Sequence, residues 1–267
     1  MNLKILGLDN KEAGTAKLPA QFSEEIRPDL IKRATLAINN STRQMYGSDP
    51  RAGKKQSAKL SRRRRDYKGA YGKGLSRMPR KTMTRRGMQM NFVGAFAPGT
   101  VGGRRAFPPV PRDFSQKIND KERRKAIRSA LAATMNKEIV SARGHNIPST
   151  YPFAVASEFE KLTKTKDVKK AFETLGLGAD LERSSSRKIR AGIGKNRARP
   201  YKESKGPLVI VSDTCDAIKA TQGIRGVDVV KVKNVNAALL APGAHAGRLT
   251  IFTKAALEKL DKEKLFM

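Results

Sequence analysis

Few side chains in this 267-residue chain could take part in catalysis. Residues 192–196, Gly-Ile-Gly-Lys-Asn, are similar to a phosphate-binding loop, but Asn196 stands where a Ser or Thr would ligate Mg²⁺, and the early glycine of that motif is missing. Cys215 follows a strand-like segment, where an α/β enzyme can carry a nucleophile, yet neither histidine is close to it in sequence. We therefore expect no catalytic residue and no cofactor, and we interpret Cys215 as a semi-buried structural thiol.

The remaining titratable candidates have ordinary structural explanations. His145 and His245 lie within two residues of glycines in loop-like segments, which is typical of histidines at a surface or in contact with RNA. Asp213 and Asp216 flank the single cysteine, and we favour helix capping over metal ligation for both. One cysteine and two histidines exclude the usual Cys/His zinc sites, so no metal site is predicted.

The charge of the chain points to a polyanionic partner. It contains 56 Lys and Arg residues against 24 Asp and Glu, a formal net charge of +32. A compact protein with this charge repels itself unless a partner supplies negative charge, and nucleic acid is the leading candidate. No apolar run approaches the 18 or more residues of a spanning helix, and the N-terminus is unlike a signal peptide. We expect a cytoplasmic protein that does not enter a membrane.

The basic residues are concentrated where apolar residues are scarce. Residues 43–112 carry 19 basic and 2 acidic side chains, and Leu75 is the single Leu, Ile or Val of residues 61–92. Such a segment cannot bury enough apolar surface to offset an ordering entropy of roughly 1–2 kcal/mol per residue. The sequence predicts an extended, non-globular loop over residues 43–112 that becomes ordered against RNA.

A second basic cluster lies in the Gly- and Ser-rich connection near residues 187–205, which we interpret as a loop at one edge of a sheet. Arginine prevails over lysine in the run of residues 62–65, and guanidinium groups suit phosphate contacts. The residues that we expect to contact RNA in these two stretches are Arg62, Arg63, Arg64, Arg65, Lys73, Arg77, Arg80, Lys81, Arg85, Arg86, Arg187, Lys188, Arg190, Lys195, Arg197 and Arg199.

The apolar pattern outside the loop predicts alternating strands and helices. Asn119 and Glu122 are spaced as a capping box at the start of a helix for which Gly144 is a stop. Short, continuously apolar strands suit a sheet covered on both faces. We expect one α/β domain over residues 1–267, a three-layer sandwich with a mostly parallel central sheet, in which the loop is inserted. The predicted strands are residues 3–8, 153–156, 208–211, 228–232 and 248–252, and the predicted helices are residues 24–43, 120–143, 167–175 and 254–260.

Six blocks of this sequence resemble the large-subunit ribosomal protein four family in its archaeal and eukaryotic form. Three are Arg-Met-Pro-Arg at 77–80, Gly-Gly-Arg-Arg-Ala-Phe-Pro-Pro at 102–109 and Lys-Gly-Pro-Leu-Val at 205–209. The other three cover residues 121–134, 190–197 and 240–249. Their order and spacing fit along nearly the whole chain.

The resemblance implies an α/β domain on the solvent side of the large subunit, bound to large-subunit rRNA. It also implies a loop that lines the peptide exit tunnel beside large-subunit protein twenty-two and contacts the nascent peptide. The tunnel-facing tip would fall within residues 72–86, and the family pattern adds three RNA contacts. The expected tip residues are Gly74, Arg77, Met78 and Pro79, and the added contacts are Arg104, Arg105 and Arg248.

Three functions remain open on the sequence. The favoured one is a structural rRNA-binding protein that neutralises phosphate charge and releases counterions. An RNA-modifying or RNA-cleaving enzyme with a basic substrate-binding arm is the alternative, although no acid/base or cofactor motif supports it. A free regulatory RNA-binding protein is the third, and it would bind one messenger far more tightly than generic RNA.

Overall fold

The computed structural model describes residues 2–49, 51–54, 63–65, 71–87, 89–108 and 110–267, and Arg62 lies outside them. The chain divides into two compact units. We call Met1–Thr42 together with Ser115–Met267 the body, and Arg43–Phe114 the extension.

Ten strands and eight α-helices are formed by the described residues. The strands are β1 (Asn2–Leu6), β2 (Glu12–Lys17), β3 (Arg80–Arg86), β4 (Gln89–Gly94), β5 (Phe153–Val155), β6 (Arg187–Ile189), β7 (Tyr201–Glu203), β8 (Leu208–Val211), β9 (Asp228–Lys231) and β10 (Thr250–Thr253). The helices are α1 (Pro28–Ser41), α2 (Asp120–Met135), α3 (Lys137–Ala142), α4 (Thr165–Thr174), α5 (Gly178–Ser185), α6 (Asp216–Thr221), α7 (Ala237–Leu240) and α8 (Lys254–Lys262). Short 3-10 helices lie at Ala20–Ser23, Ser157–Lys161, Ile193–Arg197, Val232–Asn234 and Pro242–Ala244.

The body is built on a six-stranded sheet with the order β2-β1-β5-β10-β8-β9. Every pairing in it is parallel except that of β1 with the edge strand β2. The central strands are buried along their whole length, which is why they are continuously apolar. The predicted mostly parallel α/β sheet is confirmed.

Two apolar clusters cover the two faces of this sheet, so the body has three layers. Because side chains alternate along a strand, Ile210 faces one cluster while Val209 and Val211 face the other. The first cluster takes apolar residues from α4, α5 and α6, and the second from α1, α2 and α8. Within these clusters the largest fully buried side chains are Phe153, Phe159, Phe172, Phe252, Ile31, Ile127, Leu131, Leu175, Leu177, Leu208 and Ile210.

The second predicted helix is divided in two. Asn136 leaves the helical conformation (φ −86°, ψ 110°) and begins α3, where its Oδ1 accepts hydrogen bonds from the amides of Glu138 and Ile139. The predicted capping box at the start of α2 is wrong: Asn119 is the N-cap residue, but its side chain makes no cap hydrogen bond. Glu122 instead accepts a hydrogen bond from Arg33 at 3.2 Å.

The extension is not uniformly extended. Its strands β3 and β4 pair as an antiparallel hairpin, with Gly87 at the turn in the left-handed region (φ +57°). The amide of Arg112 donates to the carbonyl of Met45 at 2.9 Å, which joins the two ends of the extension. Sequence analysis missed this hairpin because backbone pairing needs no apolar side chains, and β3 is polar and exposed along most of its length.

None of the helices among the described residues is both long enough and apolar enough to cross a membrane.

Candidate nucleic-acid interface

The extension displays most of its described cations to solvent. Arg63, Arg64 and Arg65 are exposed, as are the basic residues of β3 after Arg80. Arg80 itself is half-buried, and its guanidinium donates to the carbonyl of Ser76 at 3.2 and 3.3 Å. The exposed members of the predicted set in this unit are Arg63, Arg64, Arg65, Lys73, Arg77, Lys81, Arg85, Arg86 and Arg105, while Arg80 and Arg104 are half-buried.

Several of these cations lie over aromatic rings of the extension. Arg77 lies 4.9 Å from the ring centroid of Tyr71, and Lys73 lies 5.4 Å from that of Phe92. Arg43 is held over Phe114 at 3.9 Å. A contact of this kind leaves the charge in place, because the ring carries none of its own. The cations therefore keep their net attraction for an anionic partner.

The predicted tip residues form a turn just before β3. Gly74 has a left-handed backbone (φ +65°), which suits glycine, and Arg77 is exposed. Met78 and Pro79 are half-buried, and the carbonyl of Pro79 accepts a hydrogen bond from the amide of Ala95. The hairpin turn at Gly87 is a separate feature farther along the chain.

The second basic cluster is a hairpin rather than a loop. Strands β6 and β7 pair with each other and not with the central sheet. We call residues 187–203 the basic hairpin. Arg190 links its two sides, since its guanidinium donates to the carbonyls of Arg199 and Tyr201 at 3.1 Å each. The exposed cations of the basic hairpin are Arg187, Lys188, Lys195, Arg197, Arg199 and Lys202.

A buried aspartate lies close to the base of the basic hairpin. Asp180 accepts hydrogen bonds from Arg183 Nε at 2.8 Å and from the amide of Asn146 at 3.0 Å, and its carboxylate lies 3.2 Å from His145 Nδ1. Burial alone would raise the pKa of Asp180, but hydrogen bonds from His145 and Arg183 outweigh it and lower that pKa. Arg183 also donates to the carbonyl of Lys205, just beyond the hairpin. The interpretation of His145 as a surface or RNA-contacting residue is wrong, because the side chain is buried.

A second buried network contains Arg248. The side chain is 0% exposed. It donates to the carbonyls of Gly206 and Leu239 at 2.9 and 3.1 Å and to Asp228 Oδ2 at 2.6 Å. The prediction that Arg248 contacts RNA is wrong, because its guanidinium is turned into the body and already bonded there. Sequence analysis missed Asp180, Arg183 and Asp228, since no spacing signal marks their convergence.

The candidate catalytic residues do not assemble into a site. Burial raises the pKa of the half-buried Cys215 thiol, which is unsuited to a nucleophile and fits the predicted structural thiol. Helix capping is wrong for both flanking acids: Asp213 pairs with Lys259, and Asp216 lies in the first turn of α6, whose N-cap is Cys215. Within the part of the chain that the structure describes, no group of three or more His, Cys, Asp or Glu side chains could hold a metal ion.

Comparison with known proteins identifies one family. Residues 16–263 match the model of the ribosomal protein L4/L1 family. The chain is 46% identical to the large ribosomal subunit protein uL4 of Nanoarchaeum equitans over 268 residues, covering 100% of both chains. The protein of the same name from Methanococcus vannielii is 46% identical over 97% of this chain and 98% of its own. That of Archaeoglobus fulgidus is 43% identical, again over 97% and 98%.

Proposed function

The chain belongs to the ribosomal protein L4/L1 family, and we propose that it is a structural constituent of the large ribosomal subunit in the cytoplasm that binds large-subunit rRNA. The observation that carries rRNA binding is the display of exposed cations on the extension and on the basic hairpin, within a chain of net charge +32. Each phosphate that these cations neutralise releases counterions, which supplies affinity without reading base sequence. The protein is not an enzyme.

Sedimentation tests the assignment to the subunit. We expect the protein in a cell lysate to run with the large subunit on a sucrose gradient and to remain there after a high-salt wash that strips loosely bound factors. A protein that ran free, or that dissociated in moderate salt, would be a transient RNA-binding protein instead.

Salt dependence tests the basic hairpin as an rRNA contact. Replacing Arg197 and Arg199 by Gln should lower the slope of log affinity against log salt by about two, because each phosphate contact contributes close to one. The matched control replaces the exposed Lys166 and Lys170 of α4 by Gln. Equal slopes for the hairpin variant and the control would exclude the basic hairpin from the interface.

We also propose that residues 43–112 are an extended loop inserted in the α/β domain, and that this loop lines the peptide exit tunnel beside large-subunit protein twenty-two. The resemblance to the family supports this role, as does the separation of the extension into a unit of its own. The nascent peptide would then pass the turn that contains Gly74, Arg77, Met78 and Pro79.

Cross-linking from this turn tests the tunnel placement. A photo-reactive amino acid at Met78 in translating ribosomes should cross-link to the nascent chain, while the same group at the exposed Leu36 of α1 should not. If the photo-reactive group at Met78 reacts with rRNA alone, the tunnel-facing tip is formed by another part of the extension.

A further inference from the structure

The extension contains a cavity of about 600 Å³. Its walls come from three parts of this unit: Gly53 and Lys54, Lys81 in β3, and residues 94–96 with 100–103. This volume lies in the range of ordinary small-ligand sites, which run from about 300 to about 1,000 Å³. Among the described residues, the lining includes two lysines and no carboxylate, so the cavity suits an anionic ligand.

One wall is the most compact part of the described extension. Ala95 and Ala97 are buried, whereas no other described residue of this unit is. The carbonyl of Ala97 accepts hydrogen bonds from Thr100 Oγ1 at 2.9 Å and from the amide of Arg104 at 3.1 Å. These bonds close a tight turn over residues 97–104.

Gly103 is required for this turn. A Cβ added there would lie 2.2 Å from both the carbonyl oxygen of Ala97 and Thr100 Oγ1, closer than real Cβ contacts. The glycine therefore lets the backbone of residues 102–103, which lines the cavity, pack closely against Ala97 and Thr100. The wall is held by its own hydrogen bonds rather than by a large apolar core.

Phe96 gives the cavity a flat apolar surface. Its ring is half-buried, and the ammonium of Lys54 lies 5.0 Å from the ring centroid. The Lys54 side chain is exposed, so it can turn from the ring to a phosphate at little cost. A base stacked on an aromatic ring is held more strongly than an exposed cation over that ring, which favours this exchange.

We propose that this cavity binds one unstacked nucleotide of RNA, with its base on Phe96 and its phosphates beside Lys54 and Lys81. The proposal rests on the proposed function, since it specifies how the extension holds its RNA partner. An acidic peptide would satisfy the lysines but would leave the face of Phe96 without a planar partner. Contact through a base face is tolerant of sequence, because every base has such a face.

A set of phenylalanine variants of the full-length protein tests the proposal. The probes are a labelled single-stranded oligouridine of about 12 nucleotides and an RNA duplex of the same length, measured by fluorescence anisotropy at fixed salt. Phe96→Leu should weaken binding of the single strand by about tenfold or more and leave duplex binding unchanged, because stacking on the ring is lost. Phe96→Tyr keeps a ring and should retain the affinity.

The matched control is Phe107→Leu, since Phe107 is 91% exposed in the same unit and does not line the cavity. If Phe96→Leu and Phe107→Leu weaken single-strand binding equally, the nucleotide site is wrong while the proposed function stands, provided that the wild-type protein binds RNA and sediments with the large subunit. If the wild-type protein binds neither the single-stranded nor the duplex probe and runs free on the gradient, the proposed function fails as well.

Cross-linking identifies the occupant in the assembled particle. A photo-reactive amino acid at Val101, an exposed residue of the cavity lining, should react with a nucleotide of rRNA in purified large subunits. Reaction with a polypeptide in place of RNA would assign the cavity to a protein segment and overturn the proposal.

Discussion

At the scale of single residues, the buried Asp180 and the half-buried Asp228 hold the chain where it leaves the basic hairpin. Asp180 fixes Arg183, which donates to the carbonyl of Lys205 at 2.8 Å. Asp228 pairs with Lys205 Nζ at 3.1 Å and with Arg248, which in turn donates to the carbonyl of Gly206. The cations of the basic hairpin therefore extend from a base that is anchored in the body.

Replacing Arg248 tests whether its role is structural. Arg248→Leu would remove the main partner of Asp228 and leave the buried carbonyl of Gly206 without its donor, so we expect a loss of about 3 kcal/mol in the free energy of unfolding. Urea denaturation of the full chain measures it. Arg199→Leu, at an exposed position of the basic hairpin, should change stability little. Unchanged stability in Arg248→Leu together with weaker rRNA binding would restore Arg248 as an RNA contact.

Asp180 makes the body sensitive to acid. Its pKa in the folded chain lies below the ordinary value of 3.8, because the hydrogen bonds from His145 and Arg183 outweigh burial. A carboxyl that binds protons more weakly when folded stabilises the protein above its unfolded pKa, and this stabilisation is lost as the pH falls through the folded pKa. We expect the free energy of unfolding to fall between about pH 5 and about pH 2, and less steeply in Asp180→Asn.

Urea denaturation at a series of pH values gives the comparison. Asp167→Asn, at an exposed position of α4, is the control and should keep the wild-type pH dependence. An Asp180→Asn variant with the same acid loss as the wild type would show that other carboxyl groups account for it.

At the scale of the elements, the two N-caps near α2 offer a direct comparison. Asn136 caps α3 through its side chain, whereas Asn119 begins α2 without a side-chain cap bond. We therefore expect Asn136→Ala to cost about 1 kcal/mol and Asn119→Ala to cost much less, both measured by urea denaturation. Equal costs would mean that the hydrogen bond donated by the amide of Glu138 to Asn136 Oδ1 contributes nothing measurable to stability.

The elements that sequence analysis predicted are those with a continuous apolar signal. Leu208–Val211 was predicted with its observed bounds, because four successive buried residues mark a covered parallel strand. The edge strand β2, Glu12–Lys17, was missed because it is mostly exposed and carries no apolar alternation. The hairpins of the extension and of residues 187–203 were also missed. Backbone pairing defines their strands, and these strands are mostly exposed too.

The predicted interface residues also fall into those that a local sequence signal marks correctly and those that it does not. Charge density predicted which stretches expose cations, because a run without apolar residues cannot be buried. The family resemblance, by contrast, gave Arg248 as an RNA contact, and this prediction was wrong because its partners Asp228, Gly206 and Leu239 come from other parts of the chain and converge only through the fold. The cavity of the extension was not predicted either, since Lys54, Lys81 and Phe96 are far apart in the sequence and meet only in the folded unit.

At the scale of the whole molecule, charge and apolar burial are separated between the two units. The extension contributes half of the net charge of +32, yet the hydrophobic clusters formed by the described residues lie within the body. Burial of apolar surface is the main source of folding stability, and charge repulsion opposes it. The stability of the body is therefore expected to be independent of the extension.

A deletion tests this independence. Replacing Arg43–Phe114 by a flexible Gly/Ser linker of about 10 residues should leave a body that unfolds cooperatively, with a melting temperature close to that of the full chain, measured by circular dichroism. The same variant should lose the salt resistance of its association with the large subunit, because half of the net charge and the proposed nucleotide site are gone. A linker replacement of residues 187–203, which also removes exposed cations but keeps the extension, is the comparison for that second effect. A body that failed to fold without the extension would show that this unit contributes to folding as well as to RNA binding.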